Sequence, residues 1–197
     1  MDELITLIRE PVKSIAKAKN RNMMRTYKLL LAEWIIMGLG FLIIPLAMGS
    51  TMAMIASTAV IATIIMGIVF TLFFGYLLTA AMRILGGKGD YYQGLTTLVY
   101  TIYPLAFGVL IASILSLIPI AGMILGFLVV SVLAVMSVAT FFRATMDLFR
   151  VDAIRAFIAC QVMFLGFFLA FYISLILGLA GAGALFGNVA FDAATLV

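Results

Sequence analysis

Acidic side chains are the first candidates for chemistry in this chain, which contains eight of them and no histidine. Asp90 ends a Gly87-Lys88-Gly89-Asp90 sequence between two apolar segments, and Glu33 lies inside an apolar run. Two carboxylates that share a proton can activate water for hydrolysis. That chemistry requires a second aspartate at membrane depth, and the apolar segments before Asp90 contain none.

The GxGD spacing is that of intramembrane aspartyl proteases, but the YD and PAL elements that accompany it in presenilin-like enzymes are missing. Asp147 and Asp152 lie in a later connection among arginines. A glycine-rich turn in which Asp90 caps the next helix explains the same residues better. Intramembrane proteolysis is therefore our third and weakest functional hypothesis, and we predict that the protein is not an enzyme.

Other catalytic and metal chemistries lack their residues. The absence of histidine excludes Ser-His and HExxH sites, and the single cysteine, Cys160, cannot form a cysteine pair for a metal. No Walker motif is found, and nothing in the sequence indicates nucleic-acid binding. We predict no cofactor and no metal site.

Composition determines the class of protein. The 197 residues are 66% hydrophobic and 10% charged, with a mean hydropathy of +1.30. Soluble domains are roughly half apolar and about a quarter charged, and a small soluble core cannot bury so many apolar side chains. We predict an all-α, multi-pass protein of the cell membrane.

We predict five transmembrane helices preceded by an interfacial amphipathic helix. Residues 1–27 combine apolar residues at helical spacing with lysines and arginines, and we expect this cytoplasmic segment to contact anionic lipid headgroups. Residues 28–197 form the transmembrane domain, and its runs are long enough to cross the bilayer. The predicted spans are about 29–49, 53–85, 94–117, 121–142 and 157–179. Between the last two, residues 143–157 are expected to form a short interfacial helix with ion pairs.

The basic residues predict the orientation. All twelve lie before the first span, between the second and third, or between the fourth and fifth. With five spans they therefore share one side of the membrane, which is the cytoplasmic side by the positive-inside rule. The N-terminus is then cytoplasmic and the C-terminus is outside.

Polar residues within the spans are candidates for a functional cavity. Glu33 follows Lys28 by five residues, about 7.5 Å of helix rise, which places it near the headgroups. An intramembrane carboxylate is a functional candidate, although an ion pair with a neighbouring Lys or Arg is the commoner arrangement. The alternative function is thus a small transporter or channel, with its cavity lined by Glu33, Tyr100, Tyr103, Pro104, Gln161 and Tyr172.

The stretch from Ile84 to Gly108 resembles the Yip1 domain, whose members have a GGKG turn, an aromatic residue, and a tyrosine shortly before a proline in the third span. The matching residues are Gly86, Gly87, Lys88, Gly89, Tyr91, Gln93, Tyr100 and Pro104, with Asp90 inside the turn. The segments around Pro11 and MDLFRVDAIRAF are also similar to the family.

The Yip1 resemblance implies five spans and a non-enzymatic role that organises membranes or partner proteins. Eukaryotic members bind Rab GTPases and support vesicle formation, but their DLYGP-like motif is not found in this sequence. The expected partners are the lipid bilayer and a membrane protein or a second copy of this chain. This role is our leading functional hypothesis.

Overall fold

The computed structural model describes residues 23–47, 50–166, 168–169 and 172. Four long helices, here called α1 to α4, are followed by a shorter helix, α5. The described residues contain no strand, so the predicted all-α class is confirmed. The helices are α1 (Met23–Ala47), α2 (Ser50–Ile84), α3 (Tyr91–Leu115), α4 (Ala121–Phe149) and α5 (Ala153–Gly166).

Helices α1 to α4 are each long and apolar enough to cross a membrane. The protein is therefore a multi-pass membrane protein by the length and composition of its helices. Helix α5 is shorter, and ten of the 23 residues of the predicted fifth span, 157–179, lie outside the described residues. The predicted amphipathic helix also lies outside them, except for its last residues, which form the start of α1.

The end of the fourth span differs from the prediction. Helix α4 does not stop near residue 142 but continues to Phe149, because no glycine or proline interrupts it after Gly126. It ends at Arg150, whose φ of 54° reverses the chain. The predicted separate interfacial helix over 143–157 is therefore wrong. The predicted ion pair is present within α4, where Arg143 Nε lies 2.9 Å from Asp147 Oδ2.

The chain divides into two compact units. The first, Met1–Ala159, contains α1 to α4 and the beginning of α5. The second, Cys160–Val197, contains the end of α5.

Helix α3 is the central element of the first unit, since it packs against α1, α2 and α4. In its span 44% of residues are buried, against 22% in α2 and in α4. Small residues allow the close approach: a Cβ on Gly126 of α4 would lie 3.3 Å from Cα of Ala112 on α3. Gly122 and Gly126 both pack closely against α3 residues or the turn that follows them.

Large apolar side chains cover the outer faces of the four helices. On α4 the exposed ones include Met123, Phe127, Val132 and Val135, each more than half exposed. Such a surface is costly in water and suits contact with lipid. The interior carries the polar residues, which is where a functional site must be sought.

Candidate functional site

Glu33 is the most unusual side chain of the described chain. It lies in α1 and is 0% exposed, and neither carboxylate oxygen has a hydrogen-bond partner among the described residues. Among the described residues, no lysine or arginine forms the expected ion pair with Glu33, and Lys28 on the same helix is exposed. An ionised carboxylate in such surroundings costs several kcal/mol unless a cation or donors compensate it. This position therefore requires an explanation beyond packing.

Tyr103 of α3 is the natural neighbour of Glu33. It is also 0% exposed, and its hydroxyl has no hydrogen-bond partner in the described chain. The two side chains interact electrostatically, although they do not form a hydrogen bond with each other. We refer to Glu33 and Tyr103 as the buried acid–phenol pair.

The packing of α1 against α3 explains why these two residues meet. Thr26 contacts Thr96 at 3.4 Å between their hydroxyl oxygens, and a Cβ on Gly40 would lie 3.1 Å from Leu110. Both contacts join residues that are 70 positions apart, so α1 and α3 run parallel with a fixed offset. The same offset places Glu33 level with Tyr103, near the middle of the α3 span Tyr91–Leu115.

Other buried or half-buried polar side chains around α1 have partners. Trp34 donates its indole N–H to Thr71 Oγ1 of α2 at 3.0 Å, and Thr71 in turn donates to the carbonyl of Gly67 at 2.9 Å. A side chain at Gly67 would collide with the Trp34 ring, so the indole is firmly held. The buried acid–phenol pair differs from these groups, because its oxygens have no hydrogen-bond partner in the described residues.

Tyr100 and Pro104, the other predicted cavity residues on α3, are both buried. Helix α3 runs through Pro104, which has no N–H to donate to the carbonyl of Tyr100. The structure thus places four predicted site residues in one interior: Glu33, Tyr100, Tyr103 and Pro104.

Gln161 and Tyr172 are located differently. Both belong to the second unit, and both are exposed, Tyr172 by 61%.

Ser137 of α4 is a polar residue that the sequence did not single out. It is 6% exposed, and its hydroxyl has no partner in the described chain. Helices α3 and α4 run antiparallel, with Gly108 beside Leu133 and Ala112 beside Gly126. This register places Ser137 at about the height of Tyr103. Its spacing of eleven residues from Gly126, about three helical turns, was the available signal.

The turn between α2 and α3, residues 85–90, holds the predicted family signature. Its backbone forms a Schellman motif at the end of α2: the N–H of Gly87 donates to Met82 at 2.8 Å, and that of Gly86 donates to Arg83 at 3.1 Å. Gly86 has φ of 81°, a conformation that side chains disfavour. Its glycines therefore give this turn a defined shape.

The α2–α3 turn is also fixed against the end of α4. The N–H of Lys88 donates to the carbonyl of Phe149 at 2.9 Å, and a side chain at Gly89 would collide with the Phe149 ring. Arg83 donates its Nε to the carbonyl of Gly89 at 3.1 Å. The side chain of Lys88 remains exposed on this rigid frame.

Asp90 is the N-cap of α3, as predicted. Its Oδ1 accepts from the backbone N–H of Gln93 at 3.3 Å, and its own N–H donates to Gln93 Oε1 at 2.7 Å. These reciprocal bonds form a capping box. Tyr91, the signature residue directly after the turn, donates its hydroxyl to the carbonyl of Leu72 at 3.2 Å. The position of Asp90 is thus explained by helix capping.

Within the described residues, no group of three or more His, Cys, Asp and Glu side chains could hold a metal ion. A single buried acid beside a phenol can instead bind and release a proton. After it releases the proton, its carboxylate can accept strong hydrogen bonds.

Comparisons with protein-family models, with curated proteins and with solved structures found no match. The resemblance to the Yip1 domain consequently stays a prediction from the residues of Ile84–Gly108.

Proposed function

We propose that this protein is a non-enzymatic, multi-pass membrane protein of the Yip1 kind that organises membrane or partner proteins. The observation that carries the proposal is the α2–α3 turn, because it is held rigidly by backbone hydrogen bonds and yet exposes Lys88 and Asp90. A fixed surface with exposed charges is suited to recognition by a partner, since little conformational entropy is lost on binding.

The proposed topology has five spans in the cell membrane, a cytoplasmic N-terminus and an outside C-terminus. It is supported by the positions of Arg83, Lys88 and Arg150, which lie at the ends where α2 and α4 finish and α3 begins. Basic residues at this end favour the cytoplasmic side, where they would meet anionic headgroups. Cysteine labelling from either side of the membrane tests this orientation.

Crosslinking in intact membranes followed by pulldown tests the organising role. Lys88→Ala and Asp90→Asn remove exposed charges from the α2–α3 turn, and asparagine preserves the helix cap. We expect either change to weaken capture of a specific partner. Asp147→Asn is the matched control, because it removes an exposed acid that pairs within α4. If both turn variants capture every partner as the native chain does, the turn is only a connection.

A small transporter is the second candidate function. The buried acid–phenol pair favours it, since intramembrane ionisable residues commonly mark ion or proton pathways. Flux of protons or small cations into liposomes is the appropriate measurement. Unchanged flux in Glu33→Gln and Gln161→Leu would remove this specific version of the hypothesis.

A further inference from the structure

We propose that Glu33 is a proton-binding site whose protonated acid group forms a hydrogen bond with the hydroxyl of Tyr103. The site goes beyond the organising role proposed above and supplies the chemical group that the transport alternative requires. Binding a proton adds one hydrogen to a carboxylate oxygen and breaks no bond in the protein.

The first argument is the simultaneous burial of two unsatisfied groups at one level of the helix pair. Glu33 and Tyr103 are each 0% exposed, and the parallel packing of α1 and α3 places them level. Each has an oxygen that no described residue partners. A protonated acid donates one hydrogen bond, and a phenol can accept it. One rearrangement of side chains would therefore satisfy both groups.

The second argument concerns the identity of the cation. A metal ion with oxygen ligands requires several of them, whereas a proton requires one acceptor. The two carboxyl oxygens and the phenol are the only oxygens of this site that the described side chains leave without partners, and the carboxyl oxygens are shielded from solvent. The geometry accordingly suits a proton rather than a metal ion.

The third argument is the charge around the site. Helix α2, which packs on α1, has no ionisable residue from Ser50 to Gly75. On α3 the ionisable groups at this level are the phenols of Tyr100 and Tyr103. On α1 itself, Lys28 and Arg25 lie five and eight residues before Glu33. In the described parts of these three helices, cationic groups therefore lie toward one end, and none lies level with Glu33 to compensate an ionised carboxylate.

Infrared difference spectroscopy of the full chain in lipid tests the site, because a buried protonated carboxylic acid gives its own carbonyl band. We expect a band that changes with pH and exchanges slowly in heavy water, and we expect Glu33→Gln to abolish it. Asp147→Asn, which changes an acid on the surface of α4, is the control that keeps it. A slowly exchanging band that persists in Glu33→Gln, or the absence of such a band in the native protein, would overturn the proposal.

Tyr103→Phe provides an independent variant that retains the acid. It should shift the band to higher frequency, because the hydrogen bond to the phenol is lost. Ser137→Ala removes a buried hydroxyl of α4 at a similar height and should leave the band in place. An unshifted band in Tyr103→Phe would disprove the role of the phenol. Proton flux into liposomes is measured separately, so a Glu33 band without flux keeps the binding site and removes transport.

Discussion

Backbone groups of the α2–α3 turn and the side chain of Asp90 have hydrogen-bond partners, whereas the oxygens of the buried acid–phenol pair have none in the described chain. The turn lies at one end of the helices, where glycines let backbone groups approach one another. There Asp90 caps α3 and forms a capping box with Gln93. The pair lies inside, where helix backbones satisfy themselves and offer no spare donors.

This difference separates structural from functional polar residues. At the turn each backbone or capping contact replaces one that water would supply, so these contacts are accounted for by folding, and the exposed charges are what remains for a partner. At Glu33 burial removes water without replacing it, which is an energetic cost that packing does not require. Residues of that kind are retained in a fold most easily when their chemistry is used. The comparison predicts opposite responses to mutation in the two regions.

The largest effect on stability is expected at Gly94, in the first turn of α3, where α3 packs tightly against α2. A Cβ at this position would collide with Thr79 Oγ1 and with the carbonyl oxygen of Gly75 on α2, and backbone cannot move aside easily. Gly94→Ala should therefore lower the free energy of unfolding by about 3 kcal/mol. Denaturant titration in detergent micelles measures this change.

Gly108→Ala is the matched control for that variant, since both glycines are buried in α3. Its Cβ would lie 3.2 Å from a methyl of Leu133, which is the end of a flexible side chain. We expect a loss under about 1 kcal/mol, because the leucine can shift. Equal losses in the two variants would contradict the view that backbone lies closer to Gly94 than to Gly108.

Glu33→Leu should stabilise the protein, in contrast to the glycine variants. It removes two unsatisfied oxygens and fills the space with apolar atoms, so the free energy of unfolding should rise by about 1–3 kcal/mol. Glu33→Gln retains an unpartnered polar group and should change stability little. Thermal unfolding of the three proteins in one detergent is sufficient. Destabilisation by leucine would show that the carboxyl has a partner and would remove the contrast with the turn.

The sequence predicted the turn well because its signals are local. Asp90 and Gln93 are three residues apart, which is the spacing of a capping box, and the structure contains one. The long apolar runs likewise predicted the helices of the first four spans. Their ends were less accurate: the basic residues at 143–155 suggested a break near 142, but α4 tolerates Arg143 and Asp147 because they pair along its surface.

The sequence could not predict the environment of Glu33. Its proximity to Lys28 suggested a shallow ion pair, but the two residues do not share a face, since Lys28 is exposed and Glu33 is buried. A membrane helix is apolar on all sides, so hydropathy does not reveal which side packs inward. Only the offset between α1 and α3 brings Glu33 to Tyr103.

Asp90→Ala tests the fully paired side of the comparison with a moderate effect. Loss of the cap leaves the N–H of Gln93 without its side-chain acceptor, and we expect the free energy of unfolding to fall by about 1 kcal/mol. Asp90→Asn should stay within a few tenths of a kcal/mol of the native value, since asparagine caps about as well. If the asparagine variant loses as much as the alanine variant, charge rather than capping explains the aspartate.

The smallest effect is expected at Asp147, whose carboxylate pairs with Arg143 on the surface of α4. Both side chains are more than a third exposed, so solvent screens the pair, and Asp147→Ala should cost only about 0.3–0.5 kcal/mol. The loss should disappear in high salt, whereas the loss from Asp90→Ala should remain, because a cap is a short-range hydrogen bond. Measuring both variants at low and high salt separates the two contributions. A salt-resistant loss at Asp147 as large as that at Asp90 would mean that this end of α4 depends on its ion pair as the turn depends on its cap.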